Sequence, residues 1–484
     1  MFYRQKFDTF IRIYQGFGYI VNQGSFADRV LDKSGAVFLQ ALSRKAKRLD
    51  ELAKDIQKEF INVDFETIKQ DAEEFYQMLE ADGFLVSGET EAELDKKDVK
   101  FSYKALKPKT INNDFSPVIL RADKSSQEFL EEHFNDNPHL TAFQIELTSR
   151  CNERCIHCYI PHENKINDIK PELFYKTLEQ LKEMNILNLT LSGGEPMLHP
   201  EFCNFLRKAK EYDFSVNVLS NLTLLSDEII KELKNNRLSS IQASLYSMKP
   251  EIHDEITQMT GSFEKTKNAI LQLIENDIPL QISCPTMKQN KDCFVDVLNW
   301  AYKHKVRATT DMIMMAKYDH TTDNLKNRLD EKEVETIIKA VIENNEYYQE
   351  DVLKADFTKE DRTDTSNDRV CGVCISMLCM VANGNCYPCA GWQDQVVGNL
   401  NETLLKDIWE NSPRVKYLRN IRKKDFPKCL KCADKMFCAM CMVRNANENP
   451  EGDPLKINEH FCKVAAINKT IVLNWKAKQN ANFR

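Results

Sequence analysis

The chain has 484 residues, a formal net charge of −7 and 29% charged residues. That length exceeds one ordinary core, so two or three domains are expected, and a chain without a global basic excess is poorly suited to hold a nucleic acid by charge. Nowhere do about 18 apolar residues run together and the opening MFYRQKFDTFIRIYQ has no apolar signal core, which argues against a membrane partner and for the cytoplasm; there, sixteen cysteines are more readily metal ligands or reactive thiols than disulfides.

Residues 1–86 read as a small α+β domain. Short β-type runs at Phe7–Ile13, Gly18–Val21 and Arg29–Leu31 give way to helical spacing at Ala36, Phe38, Leu39 and Leu42, then at Leu49, Leu52, Ile56 and Phe60. Asp64 is placed to cap a third helix carrying Ile68, Phe75, Met78 and Leu79 and ending at Gly83. The order βββααα is that of a winged helix-turn-helix module. DNA binding is disfavoured because the third helix carries Glu66, Asp71, Glu73, Glu74 and Glu80, which repel phosphates. The module resembles instead the precursor-peptide recognition element fused to peptide-modifying enzymes. That resemblance implies a peptide leader added as a strand beside the third helix.

Residues 87–137 read as a linker: Glu89 to Lys100 is dominated by charge, and Pro108, Asn112-Asn113 and Pro117 break the stretch beyond Lys100, with a short helix expected over Ser126 to His133. From Thr141 to about Asp311 strands alternate with amphipathic segments. Strand-like runs are Phe143–Leu147, Ile186–Leu191, Ser215–Ser220, Ser240–Leu245 and Pro279–Ser283. Repeated βα units imply an α/β fold with a parallel sheet or partial barrel, whose chemistry gathers at the carboxyl ends of the strands. The expected domains are 1–86, 87–137 (linker), 138–345 (barrel) and 346–484 (cysteine-rich).

Three cysteines, Cys151, Cys155 and Cys158, come after the first barrel strand in the order C-x3-C-x2-C. Three thiolates on one loop can hold an iron–sulfur cube while leaving one iron open, whereas structural zinc takes four ligands. The second strand ends in Ser192-Gly193-Gly194-Glu195-Pro196, exposed backbone polar groups and then a carboxylate, which suits a small ligand with an ammonium group. Together these motifs resemble the radical S-adenosylmethionine (SAM) superfamily, which implies a partial (β/α)6 TIM-like barrel over residues 138–345.

By that resemblance Cys151, Cys155 and Cys158 hold a [4Fe–4S] cluster whose free iron chelates SAM, and Ser192, Gly193, Gly194 and Glu195 hold its ammonium group. Ser220, Asn221, Ser244 and Ser283 are further cofactor contacts. Many members carry an arginine shortly after the His253-Asp254 pair; here Thr257-Gln258 stands near its place. The implied chemistry is reductive cleavage of SAM to a 5′-deoxyadenosyl radical that removes hydrogen from an unactivated C–H bond, fed by a reductant such as flavodoxin or ferredoxin.

The C-terminal cysteines include Cys371-x2-Cys374, Cys389, Cys429-x2-Cys432, Cys438-x2-Cys441 and Cys462. Paired knuckles can bind zinc, but the pattern resembles more closely the SPASM extension with two auxiliary [4Fe–4S] clusters, making three in all. That resemblance assigns Cys371, Cys374, Cys389 and Cys441 to one and Cys429, Cys432, Cys438 and Cys462 to the other. The family usually spaces the last knuckle pair by three residues and here the gap is two, so Cys441 is its weakest match. Full thiolate ligation of both suits electron transfer. Cys203, Cys284, Cys293, Cys379 and Cys386 remain unassigned; Cys203 and Cys293 read as core, and Cys386 as an alternative ligand.

Between barrel and extension, Lys317, Tyr318, Asp319, His320 and Arg328 are candidates to face a substrate. The expected activity is a radical SAM oxidoreductase that oxidatively modifies a ribosomally made precursor peptide, with a side-chain cross-link the favoured product. Formylglycine formation is disfavoured because Ala390 stands where those relatives place an aspartate. A peptide epimerase using Cys379 or Cys386 as hydrogen donor is the alternative within the superfamily, and an iron–sulfur redox regulator that binds DNA is the alternative of another class.

Overall fold

The computed structural model describes residues 1–105, 126–161, 167–357 and 365–482. Pro108, Asn112-Asn113 and Pro117 lie outside the described residues. The N-terminal region is built from β1 (Phe2–Gln5), β2 (Thr9–Tyr14), β3 (Phe17–Asn22), β4 (Ala27–Leu31), α1 (Lys33–Ala41), β5 (Lys47–Arg48), α2 (Leu49–Gln57), α3 (Phe65–Ala81) and β6 (Leu85–Gly88). Asp32 and Asp64 cap α1 and α3 by accepting from the N–H of Gly35 and Thr67. Their apolar faces close over Ile20, Leu39, Leu52, Ile56, Ala72 and Leu79, all fully buried.

Sequence periodicity predicts three strands there and six are present, in two sheets ordered β5-β1-β6 and β2-β3-β4. β1 has only four residues and pairs Phe2 with Arg48 and with Gly88. Its partners are distant in sequence, so local periodicity cannot reveal it.

The charged stretch after residue 87, which reads in sequence as a free tether, is folded. α4 (Glu91–Lys97) is capped by Thr90, and its Leu94 is fully buried. Arg4 reaches both Asp95 at 2.8 Å and Asp98 at 3.1 Å. Tyr103 then enters the barrel base, accepting from Leu280 N and donating to the Ile278 carbonyl. Charge on one face of a short helix masked a single buried leucine. α5 (Ser126–Asp136) is the expected short helix, extended by three residues.

The core sheet contains β7 (Ala142–Thr148), β8 (Asn188–Gly193), β9 (Ser215–Ser220), β10 (Leu238–Ser244), β11 (Leu280–Ser283) and β12 (Arg307–Thr309), parallel and side by side in chain order. Beyond β7 the sheet continues through β13 (Met377–Met380), β14 (Asn385–Tyr387) and β15 (Gly398–Asn399). β13 runs parallel to β7, with Met377 opposite Ala142 and Met380 opposite Ile145. The cysteine-rich region therefore covers the edge of the first barrel strand, which would otherwise present unpaired N–H and C=O groups. Among the described residues no helix is long and apolar enough to cross a membrane.

The N-terminal region docks on the amino ends of the barrel strands, opposite the cysteine loop. Asp213, in the turn before β9, accepts from Arg44 Nε at 2.6 Å and lies 3.8 Å from Arg12 and 3.6 Å from Arg237. Arg12 also donates to the Ile186 and Asp213 carbonyls. Around these polar groups Phe10, Tyr14, Phe17 and Tyr19 pack with Phe134, Leu187 and Ile375. Asp213 has φ +61°, a conformation asparagine also tolerates. Asp213→Asn should weaken docking by about 1–3 kcal/mol, read as faster hydrogen exchange in β2 and β3; unchanged exchange would mean the aromatic cluster alone holds the contact.

Candidate active site

β7 buries Phe143, Ile145 and Leu147 and delivers the chain to the loop holding Cys151, Cys155 and Cys158. The next strand end is pressed onto that loop. Gly194 N donates to the Thr148 carbonyl and Glu195 N to the Arg150 carbonyl, both at 2.8 Å. A Cβ at Gly193, whose φ is +146°, would overlap the Thr148 carbonyl oxygen, and one at Gly194 would overlap that of Arg150. The glycines are thus required for backbone-to-backbone approach. Arg150 is held in a two-pronged pair with Asp168 at 2.8 and 2.6 Å.

Glu195 is fully buried. Its carboxylate accepts from Met197 N, Ser220 Oγ and Asn221 N at 3.0, 2.8 and 2.7 Å. Burial pushes its carboxyl up to about 7 against those three donors. The side chain therefore ties the end of β8 to that of β9. Asn221 Nδ2 then donates to Asn152, beside Cys151, and Asn152 donates to Thr223. Ser192 Oγ accepts from Gln144. Ser244 and Ser283 stand opposite each other in register at the ends of β10 and β11, so the four expected strand-end polar residues line one rim.

Helix Pro250–Thr257 frames the other side of the loop: its Ile256 and Thr257 carbonyls accept from Ile156 N and Arg154 N. Asp254 caps the next helix through Gly261 N, Ser262 Oγ and Phe263 N, and His253 Nδ1 accepts from Tyr246 N. Tyr246 faces His157 at 3.3 Å. At Cys155, burial, then Glu153, then the Cys158 and Cys151 thiols raise the thiol pKa well above its ordinary value. The Cys155 thiol thus lies close enough to Cys151 and Cys158 for their charges to act on it.

The C-terminal cysteines gather in two sets. Burial pushes the Cys371 thiol up to about 12, with Cys441 and Cys389 adding to it; Cys374 is also raised to about 12, by burial and Cys371, against the Arg419 charge. Cys389 responds to Cys441 in turn. In the second set burial, then Cys462 and Cys429, push Cys438 up to about 11, and Cys429 and Cys462 both respond to Cys432. Helix Glu459–Asn482 brings Cys462 to that set. Cys386 lies fully buried on β14 with its thiol toward the Gly384 carbonyl. Cys379, also buried, neighbours Cys389 and Glu146.

The polar residues expected to face a substrate are engaged in local contacts. Lys317 pairs with Asp323, Asp319 accepts from Thr321, and Tyr318 N donates to the Tyr159 carbonyl. His320 bridges Asp394 and the Ala446 carbonyl, while Arg328 pairs in two-pronged fashion with Glu448 and donates to the Met314 carbonyl. They fasten the 311–328 segment to the cysteine-rich region. Sequence reasoning passed over two residues of the interior. Glu146, on β7, is buried and accepts from Gln393 at 2.9 Å, and burial pushes its carboxyl up to about 8. Tyr159 is raised by burial and by Glu146, Cys158 and Cys389, so it stands between the two thiol groups. A charged residue inside an otherwise apolar strand was the available signal for Glu146.

Residues 145–301 match the radical SAM superfamily, residues 371–433 the SPASM iron–sulfur cluster-binding domain, and residues 28–85 the coenzyme PQQ synthesis protein D (PqqD) family. The chain carries a radical SAM domain over residues 145–301. It carries a SPASM domain and a PqqD-type domain in addition. The AdoMet-dependent heme synthase of Methanosarcina barkeri (strain Fusaro / DSM 804) is 24% identical over 325 residues, 63% of this chain and 92% of that one. The antilisterial bacteriocin subtilosin biosynthesis protein AlbA of Bacillus subtilis (strain 168) is 25% identical over 319 residues, 63% of this chain and 68% of that one. Streptococcus suis SuiB, solved with precursor peptide SuiA, has a TM-score of 0.59 at 14% identity, covering 93% of this chain and 98% of SuiB, and so shares the fold.

The glycine contact gives a direct test. Gly194→Ala should destabilise the folded protein by about 1–3 kcal/mol, because the added Cβ meets backbone rather than a yielding side chain. Thermal unfolding reads the loss; an unchanged midpoint would mean that the two strand ends are not fixed to one another.

Proposed function

We propose that this protein is a maturase that oxidatively cross-links side chains of a precursor peptide. The observation that carries the reading is the coexistence, on one chain, of a PqqD-type domain at the barrel base, a three-thiol loop at the strand ends and two further thiol sets beside it. Two similar proteins, one of subtilosin biosynthesis and one solved in complex with a precursor peptide, favour a peptide substrate.

Cys151, Cys155 and Cys158 are assigned to one [4Fe–4S] cluster. Cys371, Cys374, Cys389 and Cys441 are assigned to a second, and Cys429, Cys432, Cys438 and Cys462 to a third. The matches to the radical SAM and SPASM domains favour iron–sulfur cubes over tetrahedral zinc at these sets. Bound SAM on the first cluster supplies hydrogen-atom removal from an unactivated C–H bond. The chain's own part is to hold and enclose. Backbone groups of Ser192 to Glu195 fit an ammonium group, the Glu195 carboxylate fixes the rim, and Ser220, Asn221, Ser244 and Ser283 offer polar contacts around it.

Two fully thiolate-ligated clusters favour electron removal from the substrate, hence oxidation. The buried Cys379 is the observation that keeps epimerisation as a second reading, since that reaction needs a thiol hydrogen donor. DNA binding is weakened by the exposed Glu66, Asp71, Glu73 and Glu74 of α3. The winged-helix form of the module, its grip on a leader by strand addition, a flavodoxin- or ferredoxin-type donor and a cytoplasmic setting belong to the same proposal.

Coexpression with a precursor peptide sought among short open reading frames beside this gene should give a product lacking two hydrogens per modification. Replacing Cys151, Cys155 and Cys158 together by alanine should abolish both 5′-deoxyadenosine and product. An unchanged mass carrying one deuterium from heavy water would indicate epimerisation, and turnover in the triple variant would overturn the assignment.

A further inference from the structure

The two C-terminal thiol sets differ in what flanks them. The chain neighbours of Cys371, Cys374, Cys389 and Cys441 are all apolar or glycine, and Cys374 is fully buried. In the other set Lys428 precedes Cys429, Lys431 precedes Cys432 and Lys463 follows Cys462. The fourth thiol, that of Cys438, has a lysine beside it through the fold, since Cys438 N donates to the Lys435 carbonyl at 3.3 Å. All four lysines are exposed and all four cysteines are half-buried. Each thiol of this set therefore carries a solvated positive charge at its side.

Short contacts draw this ring together. Cys432 N donates to the Cys429 carbonyl at 3.1 Å, Lys435 N to the Cys432 carbonyl at 3.4 Å, and Asp434 N to Cys432 Sγ at 3.4 Å. The last helix, Glu459–Asn482, joins through Lys428 to Glu459 at 3.3 Å and Lys469 to Asp434 at 3.0 Å. Carboxylates offset little of the charge. Lys428 and Glu459 are 66% and 76% exposed, and Lys463 meets Glu331 at similar exposure, so both pairs are weak and exchangeable. Among the described residues Lys431 and Lys435 meet no carboxylate. Beside the lysines the surface is apolar: Met436 is 41% exposed, and Pro427, Ala433 and Ala439 are exposed too. From Arg414 to Lys435 the chain carries nine lysines and arginines against two aspartates, in a protein whose net charge is −7.

We propose that the face ringed by Lys428, Lys431, Lys435 and Lys463 is the docking surface for a small electron-carrier protein with an acidic surface. The inference rests on the assignment of Cys429, Cys432, Cys438 and Cys462 to a redox cluster in the proposed function. A small apolar spot inside a ring of like charge suits a brief encounter. The ring steers and orients an acidic partner, and a contact of about 1,200 Å² or less lets it leave again. The ring is made of lysines, compact charges on flexible stems, whereas recognition of a phosphate backbone favours the rigid fork of arginine. It surrounds the half-buried thiols and not the set with apolar flanks, so the charge is placed where a partner comes nearest to a thiol set.

The test measures binding of an acidic flavodoxin to the full chain loaded with its clusters, by biolayer interferometry at low and at physiological ionic strength. One variant combines Lys428→Glu, Lys431→Glu and Lys435→Glu. A control makes the same change of charge at Lys231, Lys234 and Lys265, exposed on outer barrel helices. The first should weaken binding by about tenfold or more and flatten its salt dependence, and the control should stay within about threefold of wild type. Hydrogen exchange of wild type with and without flavodoxin gives a second reading that needs no variant, with protection expected over residues 427–440 and the start of the last helix. Absence of binding, equal weakening by both variants, or protection elsewhere overturns the inference. So does displacement of flavodoxin by duplex DNA at lower concentration, which marks a nucleic-acid face. Metal analysis of the same samples separates the two readings. Zinc in the second set overturns the cluster assignment, and with it the partner's electron-carrier character, whereas lost binding with iron in place overturns the docking surface alone.

Discussion

Two backbone hydrogen bonds hold the site together, those from Gly194 and Glu195 to the carbonyls of Thr148 and Arg150. They lock the end of β8 against the loop after β7, and a side chain at either glycine would separate them. Glu195 carries the lock to β9 through Ser220 and Asn221, and Asn221 returns it to Asn152 beside Cys151. The three-thiol loop is thereby fixed by its neighbours' backbone, as it is on its other side by the Ile256 and Thr257 carbonyls. Buried polar groups are tolerated here because each named one has a partner.

The second constraint is the edge of β7. By pairing β13 with it, the fold places the loop of Cys371 and Cys374 and the loop of Cys389 next to the strand that carries the first three cysteines. Tyr159 and Glu146 fill the ground between. The PqqD-type domain sits at the other end of the strands, fastened by Asp213 and an aromatic cluster. Six-residue strands such as β8 and β9 span roughly 20 Å. On the proposed function, a peptide gripped at the base would have to run along the barrel before its modified residues reached the rim.

Much of this was legible in the sequence because the signals are local. Alternation in Phe143–Leu147, caps at Asp64, the paired glycines and the cysteine spacings each depend on a few adjacent residues. Features that depend on distant partners were not legible. β1 and β5 exist only through pairing with each other and with β6, and β13 reads as a strand only beside β7. Helix α4 was hidden by its charge although Leu94 anchors it. The polar run at Lys317 to Arg328 reads as suited to a substrate, but Lys317, His320 and Arg328 are already paired with Asp323, Asp394 and Glu448. Polarity in sequence does not say whether a partner is already present.

The proposed chemistry requires three sets of thiols, one short of a fourth ligand and two complete. Iron and acid-labile sulfide counted per chain after anaerobic reconstitution, with Mössbauer spectra of the same sample, measure this directly. The expected result is about twelve of each, all in cubane clusters, falling by about a third when the three cysteines after β7 are replaced. About four irons with zinc in the C-terminal region would contradict it.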